Sequence, residues 1–266
     1  MVQPKHDPPR GVLRAADSAA GFAHARYWPS PDLAPFVEHY WTVEWDLDRP
    51  CVRETLPHPV VHIVLEDDRA TLTGPTTRRF TAKLQGRGRV FGIKFHPGGF
   101  RPFASGPVSA YADRTIDLGR VFGEAAEELA PRALASADHR ATIVELEAFL
   151  RAREAHIDAT AASMTRIAAC MAAERDITRI EQVAQRFGIG LRSLQRQFRD
   201  YVGVSPKWVI QRYRLHEAPA RIDAGGDVDW AALALDLGYA DQAHLIRDFK
   251  RIVGCTPAQY ARAAMR

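Results

Sequence analysis

Side chains able to hydrogen-bond to DNA bases are concentrated between residues 241 and 257, where the sequence reads DQAHLIRDFKRIVGCTP. Leu245, Phe249 and Ile252 recur at the spacing of one helical face, and Gln, His, Arg and Lys side chains occupy the opposite face. A guanidinium can donate to both O6 and N7 of guanine, and a glutamine amide can pair with adenine in the same two-point way. A short helix with these two faces is typical of a helix that enters the DNA major groove.

A preceding helix and a tight turn are predicted to hold this helix in place. Residues 232–239 read ALALDLGY, with apolar side chains at helical positions. Gly238 is suited to end the first helix, because glycine adopts the left-handed backbone of a C-cap. Asp241 is suited to begin the next one, because its carboxylate can accept from free backbone N–H groups. The stretch is therefore predicted to be a helix, a turn and a second helix.

The same unit occurs about fifty residues earlier. Seven positions match, namely Ala184, Gly188, Leu194, Arg196, Phe198, Gly203 and Pro206 in the first copy and Ala234, Gly238, Leu245, Arg247, Phe249, Gly254 and Pro257 in the second. From the leucine onward the spacing is identical in both copies, and each copy has an arginine midway between leucine and phenylalanine. One copy alone would be compatible with an ordinary core helical hairpin. Two copies favour a pair of DNA-binding units.

The composition is that of a globular protein with room for two domains. The chain has 266 residues, of which 46% are hydrophobic and 26% charged. No apolar run reaches the roughly 18 residues of a membrane helix, so no membrane association is predicted. The first residues, MVQPKHDPPRG, lack the apolar region of a secretory signal. Three scattered cysteines without CxxC spacing indicate reduced thiols, and a cytoplasmic, nucleoid-associated protein is expected.

Positive charge is concentrated in the part that carries the doubled unit. Residues 161–266 contain 16 Lys and Arg against 11 Asp and Glu, whereas residues 1–160 contain 20 against 21. An excess of this size is common on protein surfaces. It supports DNA binding here because Arg and Gln also fall on the predicted groove-reading helices.

The first part of the chain has the alternating pattern of β-strands. Strands are predicted over 37–45, 59–68, 69–76 and 89–99. Helices are predicted through Leu33, Phe36 and Val37, near 118–129, and over 139–156. Several short strands at close spacing indicate a small sandwich or barrel.

These patterns divide the chain into four segments. Residues 1–25 are predicted to be a disordered lead and 158–165 a linker. A β-rich sensor or dimerisation domain is predicted over 26–157, and a helical DNA-binding domain over 166–263.

An apolar stripe on the predicted helix 139–156 has two interpretations. It consists of Ile143, Leu146, Phe149 and Leu150. Either it pairs two copies of the chain in a homodimer, or it packs on its own β-rich domain.

The doubled unit resembles the AraC/XylS family of transcription regulators over residues 161–263. The segments GYADQAHLIRDFKRIVGCTPAQY and QVAQRFGIGLRSLQRQFRDYVGVSPKWVIQRYRLHEA resemble the family's two helix-turn-helix units. The segment GIKFHPGGFRPFASGPVSAYADR resembles the cupin-like N-terminal half of a subgroup. The resemblance implies an α+β fold, with a β-rich cupin-like N-terminal domain followed by an all-α domain with two helix-turn-helix motifs. Implied partners are double-stranded DNA, RNA polymerase, an unknown small-molecule effector and a second copy of the chain.

The resemblance also implies roles for individual residues. Base edges would be reached by Arg192, Gln195 and Arg196 in the first unit and by Gln242, His244 and Arg247 in the second. Ala243 matches a contacting position but could offer only a methyl group. Phosphate contact or plain solvent exposure is expected for Arg199, Lys207, Lys250 and Arg251.

Two positions depart from the family pattern. Gly190 stands where the first recognition helix usually has a capping Ser or Asn, so this helix start is predicted to be weaker by a few tenths of a kcal/mol. Pro219 falls inside the helix that joins the two units, where it lacks a donor and crowds the carbonyl of Leu215. A kink or break is therefore predicted there.

Enzymatic chemistry has little support in the sequence. His58, His62 and His96 lie on or beside predicted strands, but the cupin metal pattern of HxH with a Glu is absent. Ordinary hydrogen-bonded histidines are favoured over a metal site. Cys51 is the one cysteine in the first 160 residues and has no CxxC partner. No catalytic residue, cofactor or metal ligand is predicted, and a cupin-like metal enzyme with an appended DNA-binding module is the alternative function.

Overall fold

A single antiparallel sheet forms the N-terminal part of the protein. The computed structural model describes residues 21–56, 58–223 and 228–264. Its six strands are β1 Phe22–Tyr27, β2 Val37–Thr55, β3 His62–Glu66, β4 Arg69–Thr73, β5 Phe80–Phe95 and β6 Thr115–Asp117. They lie in the order β1-β2-β5-β3-β4-β6, and every pairing is antiparallel.

Three short helices follow the sheet and cover one of its faces. They are α1 Gly119–Phe122, α2 Leu129–Leu134 and α3 His139–Arg151. The covered face carries Tyr40, Phe91 and Ile93, which are fully buried. On α3, Leu146 and Phe149 enter the same core, so the apolar stripe packs on its own domain as one of the two interpretations predicted. The stripe therefore faces the core of its own domain, and a homodimer stays a prediction.

Strands β2 and β5 are long because they continue past the sheet as a bent two-stranded ribbon. Leu47 pairs with Gly86 and Cys51 with Leu84, so three residues on β2 oppose one residue on β5. A bulge of this kind bends the strand pair. Beyond the ribbon, Leu56 is fully buried in a hydrophobic cluster that otherwise belongs to the C-terminal helices.

Within the residues that the structure describes, seven α-helices form the C-terminal part. They are α4 Ala159–Ala173, α5 Ile180–Phe187, α6 Leu191–Gln197, α7 Pro206–Asp223, α8 Trp230–Asp236, α9 Gln242–Val253 and α10 Pro257–Ala264. A sheet domain followed by helices confirms the predicted α+β class with a β-rich N-terminal and a helical C-terminal part.

Each helix-turn-helix unit has its own core, and α7 joins them. The first core contains Leu194 and Phe198 together with Val209 from α7. The second contains Leu245 and Phe249, and α7 contributes further apolar side chains to it. Because one helix lies in both cores, the two units are held on one scaffold.

Several predictions about individual segments are wrong. No helix forms through Leu33, Phe36 and Val37, because turns occupy residues 31–36 and Val37 begins β2. The predicted linker 158–165 is helical from Ala159 onward, with Asp158 accepting from the N–H of Ala161 as the N-cap. Most of the predicted lead lies outside the described residues, but its last residues belong to β1.

Helix α7 continues through Pro219 to Asp223, so the predicted break does not occur, and the alternative, a kink, stays a prediction. Leu215, whose carbonyl the proline ring would crowd, is fully buried in the second core. Packing on both sides of the proline thus keeps the segment helical despite the lost donor.

Candidate nucleic-acid interface

The first unit makes the tight turn that its glycines predict. Gly188 adopts φ +62°, and the next N–H, that of Ile189, donates to the carbonyl of Ala184 at 3.0 Å. These contacts satisfy carbonyls at the end of α5. Gly190 then begins α6 with no side-chain cap, as predicted. The helix continues as a π-helical turn, Phe198–Val202, and ends at Gly203 with φ +88°.

The polar residues predicted on α6 point away from its core. Leu194 and Phe198 are fully buried, whereas Arg192, Gln195, Arg196 and Arg199 are exposed. With about 100° between successive residues, Arg196 lies almost opposite the midpoint of the two buried side chains. None of these four makes an ion pair within the described part of the chain, so their polar groups are available to a ligand.

The second unit has a better helix start than the first. Gly238 adopts φ +77° after α8. Asp241 is the N-cap of α9, and its Oδ1 accepts from the backbone N–H of His244 at 2.7 Å. Both observations confirm the predictions made for these residues. Asp241 thus satisfies a backbone donor in the first turn of α9. The equivalent donor in α6 has no side-chain partner, because glycine stands at its N-cap.

The exposed face of α9 carries the six residues predicted there. Gln242, Ala243, Arg247, Lys250 and Arg251 are exposed, and His244 is half-buried. Arg247 lies almost opposite the buried Phe249 and Leu245, and its Nε donates only to the carbonyl of Ala243, at 3.3 Å within its own helix. Its terminal nitrogens are therefore free for a bidentate contact.

Two of the remaining side chains on α9 are tied to a carboxylate. Asp248 pairs with Arg251 at 3.0 Å, and the His244 ring lies 3.8 Å from the same carboxylate. The His244 ring also packs edge-on against Tyr239, with centroids 5.1 Å apart. These contacts fix His244 more firmly than its neighbours on the exposed face.

The loop between β4 and β5, residues 74–79, contacts both units. It is called the β4–β5 segment below. Gly203 at the end of the first recognition helix lies so close to Pro75 that an added Cβ would come within 3.0 Å of it. At the end of α9, Arg79 donates to the carbonyl of Val253 at 3.4 Å and pairs with Glu54 at 2.7 Å. A cation at a helix C-terminus is favourable, because the last carbonyls are negative.

The helix between the units is tied to the same segment. Arg212 on α7 is 1% exposed, and its Nη2 donates to the carbonyl of Thr77 at 2.8 Å. Its guanidinium also lies over the Trp208 ring, 4.5 Å from the centroid. Burial, with the charge of Arg251 adding to it, lowers the pKa of Arg212 to about 10, so the side chain is still a cation at neutral pH. The β4–β5 segment therefore holds the ends of both recognition helices and the helix that joins them.

A polar cluster lies on the sheet face opposite the main core. Lys94 pairs with Glu38 at 2.9 Å, and Trp41 Nε1 donates to Nδ1 of His62 at 3.3 Å. The His58 ring meets the His216 ring of α7, with centroids 4.6 Å apart. Desolvation, then the nearby charge of Lys94, lowers the pKa of His62 to about 3 and that of His58 well below its usual value. The lowered pKa values favour the neutral forms of His58 and His62, and the His58–His216 contact joins the N-terminal part to α7.

Sequence reasoning missed both connections between the two parts. The β4–β5 segment reads as a Gly-Pro turn, and Arg212 reads as a surface residue, because nothing in their local pattern signals contacts more than a hundred residues away. Within the described ranges, no three His, Cys, Asp or Glu side chains are placed to hold a metal ion. No helix in the same ranges is long and apolar enough to cross a membrane.

Two families match parts of this chain. Residues 183–263 match a Helix-turn-helix domain family, and residues 25–117 match a family described as Domain of unknown function (DUF6597). The match to the Helix-turn-helix domain family includes α6 and α9, so both candidate recognition helices lie inside it.

Relatives of known type share the same kind of domain. The HTH-type transcriptional regulator ExsA of Pseudomonas aeruginosa is 26% identical over 82 residues, which are 30% of this chain and 29% of ExsA. The HTH-type transcriptional activator RhaS of Escherichia fergusonii is 32% identical over 79 residues, 30% of this chain and 28% of RhaS. The chain thus matches less than a third of the length of these relatives. The crystal structure of ToxT from Vibrio cholerae is 13% identical and aligns with 91% of this chain and 97% of that chain, at a TM-score of 0.37.

Proposed function

We propose that this chain, which carries an AraC-type helix-turn-helix domain at its C-terminal end, is a transcription regulator that binds a specific DNA sequence. The observation that carries the proposal is the repeated geometry of Arg196 and Arg247. Each is exposed and lies opposite the buried face of its own recognition helix, at the same position of a doubled unit. The match to relatives named as transcriptional regulator and activator supports the same function.

The two recognition helices are proposed to read separate parts of one site. Arg196 and Arg247 each suit a guanine through O6 and N7, and Gln195 and Gln242 suit adenine. His244 and Arg192 are proposed to reach base edges beside them, and Ala243 to contact a thymine methyl group. Since α7 lies in both cores, the helices keep a constant separation, and two linked units are expected to meet successive major grooves ~34 Å apart.

Phosphate contacts are proposed for the remaining basic side chains. Arg199, Lys250 and Arg251 are exposed on the same helices but lie later in them than the proposed base readers. Such contacts set orientation and carry no sequence information. They make binding fall steeply with salt, because each neutralised phosphate releases counterions.

The N-terminal domain is proposed to sense a small effector and to change the arrangement of the reading helices. Support comes from the β4–β5 segment, which contacts the ends of both recognition helices and Arg212 of the helix that joins them. A change in the sheet domain that moved this segment would therefore act on both units together.

The further partners are proposed on the same basis. A regulator that activates contacts RNA polymerase, and RhaS is named as an activator. A homodimer would need a surface other than the α3 stripe, which is buried. A cytoplasmic, nucleoid-associated location follows from binding chromosomal DNA. A regulatory role is proposed over an enzymatic one, because the relatives are named as transcription regulators.

Selection of binding sites from random duplex DNA with the full chain tests this proposal. We expect one enriched sequence with two conserved blocks about one helical turn apart. Affinity for the selected site should exceed that for random DNA by ~10³-fold or more at the same salt concentration. A folded protein that enriches no sequence, at low or at physiological salt, would refute the proposed function.

A further inference from the structure

A cleft of about 680 Å³ lies between the N-terminal domain and the second recognition helix. Its lining residues are Thr77, Arg78, Arg79, Thr81 and Arg251. Four of the five belong to the N-terminal domain, and Arg251 belongs to α9. Three guanidinium groups and two hydroxyl-bearing residues line it, and no carboxylate does, so the lining suits an oxyanion.

The three arginines differ in the ion pairs and hydrogen bonds that they make with other residues. Arg79 is engaged by Glu54 at 2.7 Å and by the carbonyl of Val253. Arg251 gives one nitrogen to Asp248 at 3.0 Å, and its side chain is 56% exposed. Arg78 is exposed and makes no hydrogen bond or ion pair to any residue in the described ranges. Glu54 and Asp248 therefore engage Arg79 and Arg251, and Asp113 accepts from the Thr77 hydroxyl at 2.7 Å. Arg78 is the cation of this lining that pairs with no carboxylate in the described ranges.

The cleft lies next to the candidate DNA-binding face, because Arg251 belongs to both. Arg251 lies one helical turn after Arg247 on the same exposed side of α9. The C-terminal part of a reading helix lies near the DNA backbone at the side of the groove, where phosphates are contacted. A free anion would fit the chemistry as well, but the cleft's continuity with the reading helix favours a phosphate of bound DNA.

We propose that Arg78, with Arg251, binds a backbone phosphate of the DNA that α9 reads, so that the N-terminal domain contributes directly to the DNA interface. The proposal rests on the proposed function, because the phosphate belongs to the bound DNA. Arg79 acts as a positioning residue, since it holds the end of α9 against the β4–β5 segment. The contact is independent of sequence, and it strengthens specific and random DNA binding alike.

The test uses Arg78→Gln in the full chain, with Arg69→Gln as the matched control. Arg69 is exposed, lies in the same domain, and lines a different cleft near β6, so both variants lose one charge. Affinities for the selected site and for random DNA are measured over a tenfold range of salt. Arg78→Gln should reduce the slope of log K against log salt by about 0.9, so its deficit should shrink about eightfold over that range. Arg69→Gln should keep the wild-type slope.

A second variant and a second ligand make the result decisive. Arg251→Gln and the double variant should show less than additive losses, because both side chains bind one phosphate. If Arg78→Gln and Arg69→Gln behave alike while the wild-type protein binds its selected site, this inference is wrong and the proposed function stands. If the wild-type protein selects no site, the proposed function itself fails. If inorganic phosphate binds the DNA-free protein through Arg78 while DNA binding is unchanged by Arg78→Gln, the cleft holds a free anion and the proposal is overturned.

Discussion

Acidification should lower the free energy of unfolding of this protein through His62, because the fold favours the neutral form of its ring. Desolvation is the main cause of its lowered pKa, and the cations Lys94 and, when protonated, His39 add to it, while Glu38 opposes it. The indole N–H of Trp41 donates to Nδ1, an arrangement that needs this nitrogen unprotonated. In the unfolded chain the pKa returns to about 6.5, so the unfolded state binds a proton first as the pH falls.

The size of the effect follows from the two pKa values. The pKa of His62 is about 3 in the folded state. The stability that His62 contributes is therefore complete above about pH 6.5 and is lost as the pH falls toward 3. Between about pH 8 and pH 5 the loss amounts to ~2 kcal/mol, and since the ring keeps some exposure, ~1–2 kcal/mol is expected. His58 and its contact with His216 should add to the loss in the wild-type protein, because its pKa is lowered as well.

The assay is urea unfolding of wild-type protein and His62→Asn at about pH 8 and pH 5. Asparagine can accept from Trp41 but does not titrate. The His62→Asn variant should therefore lose ~1–2 kcal/mol less stability on acidification than the wild-type protein. Trp41→Phe is the control, because it removes the donor and keeps the titrating ring; it should be less stable at both pH values with the pH dependence retained. If His62→Asn shows the full wild-type pH dependence, the buried neutral histidine is not the cause.

Four further substitutions and one fragment test how the two helix-turn-helix units are stabilised. Asp241→Ala removes the N-cap of α9 and should lower the free energy of unfolding by ~1 kcal/mol. Gly190→Ser adds a cap to α6 at a position where a Cβ meets nothing within 4 Å, and it should raise the free energy of unfolding by a few tenths of a kcal/mol. Leu56→Ala should destabilise the second unit by ~2–5 kcal/mol in urea unfolding although it lies in the N-terminal part, while Val52→Ala, at a side chain 58% exposed, should stay within ~0.5 kcal/mol. A fragment from 161 to 266 lacks Leu56 and Arg79, so its second unit should melt at a lower temperature than in the full chain; equal melting would contradict the packing described.

Local sequence signals predicted the two helix-turn-helix units well. The repeat of Leu, Arg and Phe gives the right buried and exposed positions in α6 and α9, because helical periodicity depends on neighbours three and four residues away. Gly188 and Gly238 take the positive φ expected of them, since few other residues adopt this backbone readily. Strands β3 and β4 lie within predicted ranges, but β2 continues to residue 55 instead of 45 and β5 begins at residue 80 instead of 89. Strands β1 and β6 were not predicted.

Contacts between distant parts of the chain could not be predicted in this way. The bulge at Leu47 and Cys51 bends the ribbon and brings Leu56 into a core formed about 160 residues later. The helix expected through Leu33 is absent because Val37 instead pairs with Phe95 in the sheet. The buried guanidinium of Arg212 has no local signature either. These features depend on tertiary partners, which override the local pattern.

Position-resolved site selection with Arg196→Ala and Arg247→Ala tests the central claim most directly. Each variant should lose specific affinity by ~1–3 kcal/mol, or about 5- to 160-fold, and should relax one base position in its own half of the site. The two relaxed positions should lie ~34 Å apart along the DNA, and Arg166→Ala, an exposed arginine on α4, should relax none. If both variants weaken specific and random DNA equally and no base position is relaxed, Arg196 and Arg247 bind only phosphate, and the claim that each unit reads bases through its arginine is wrong.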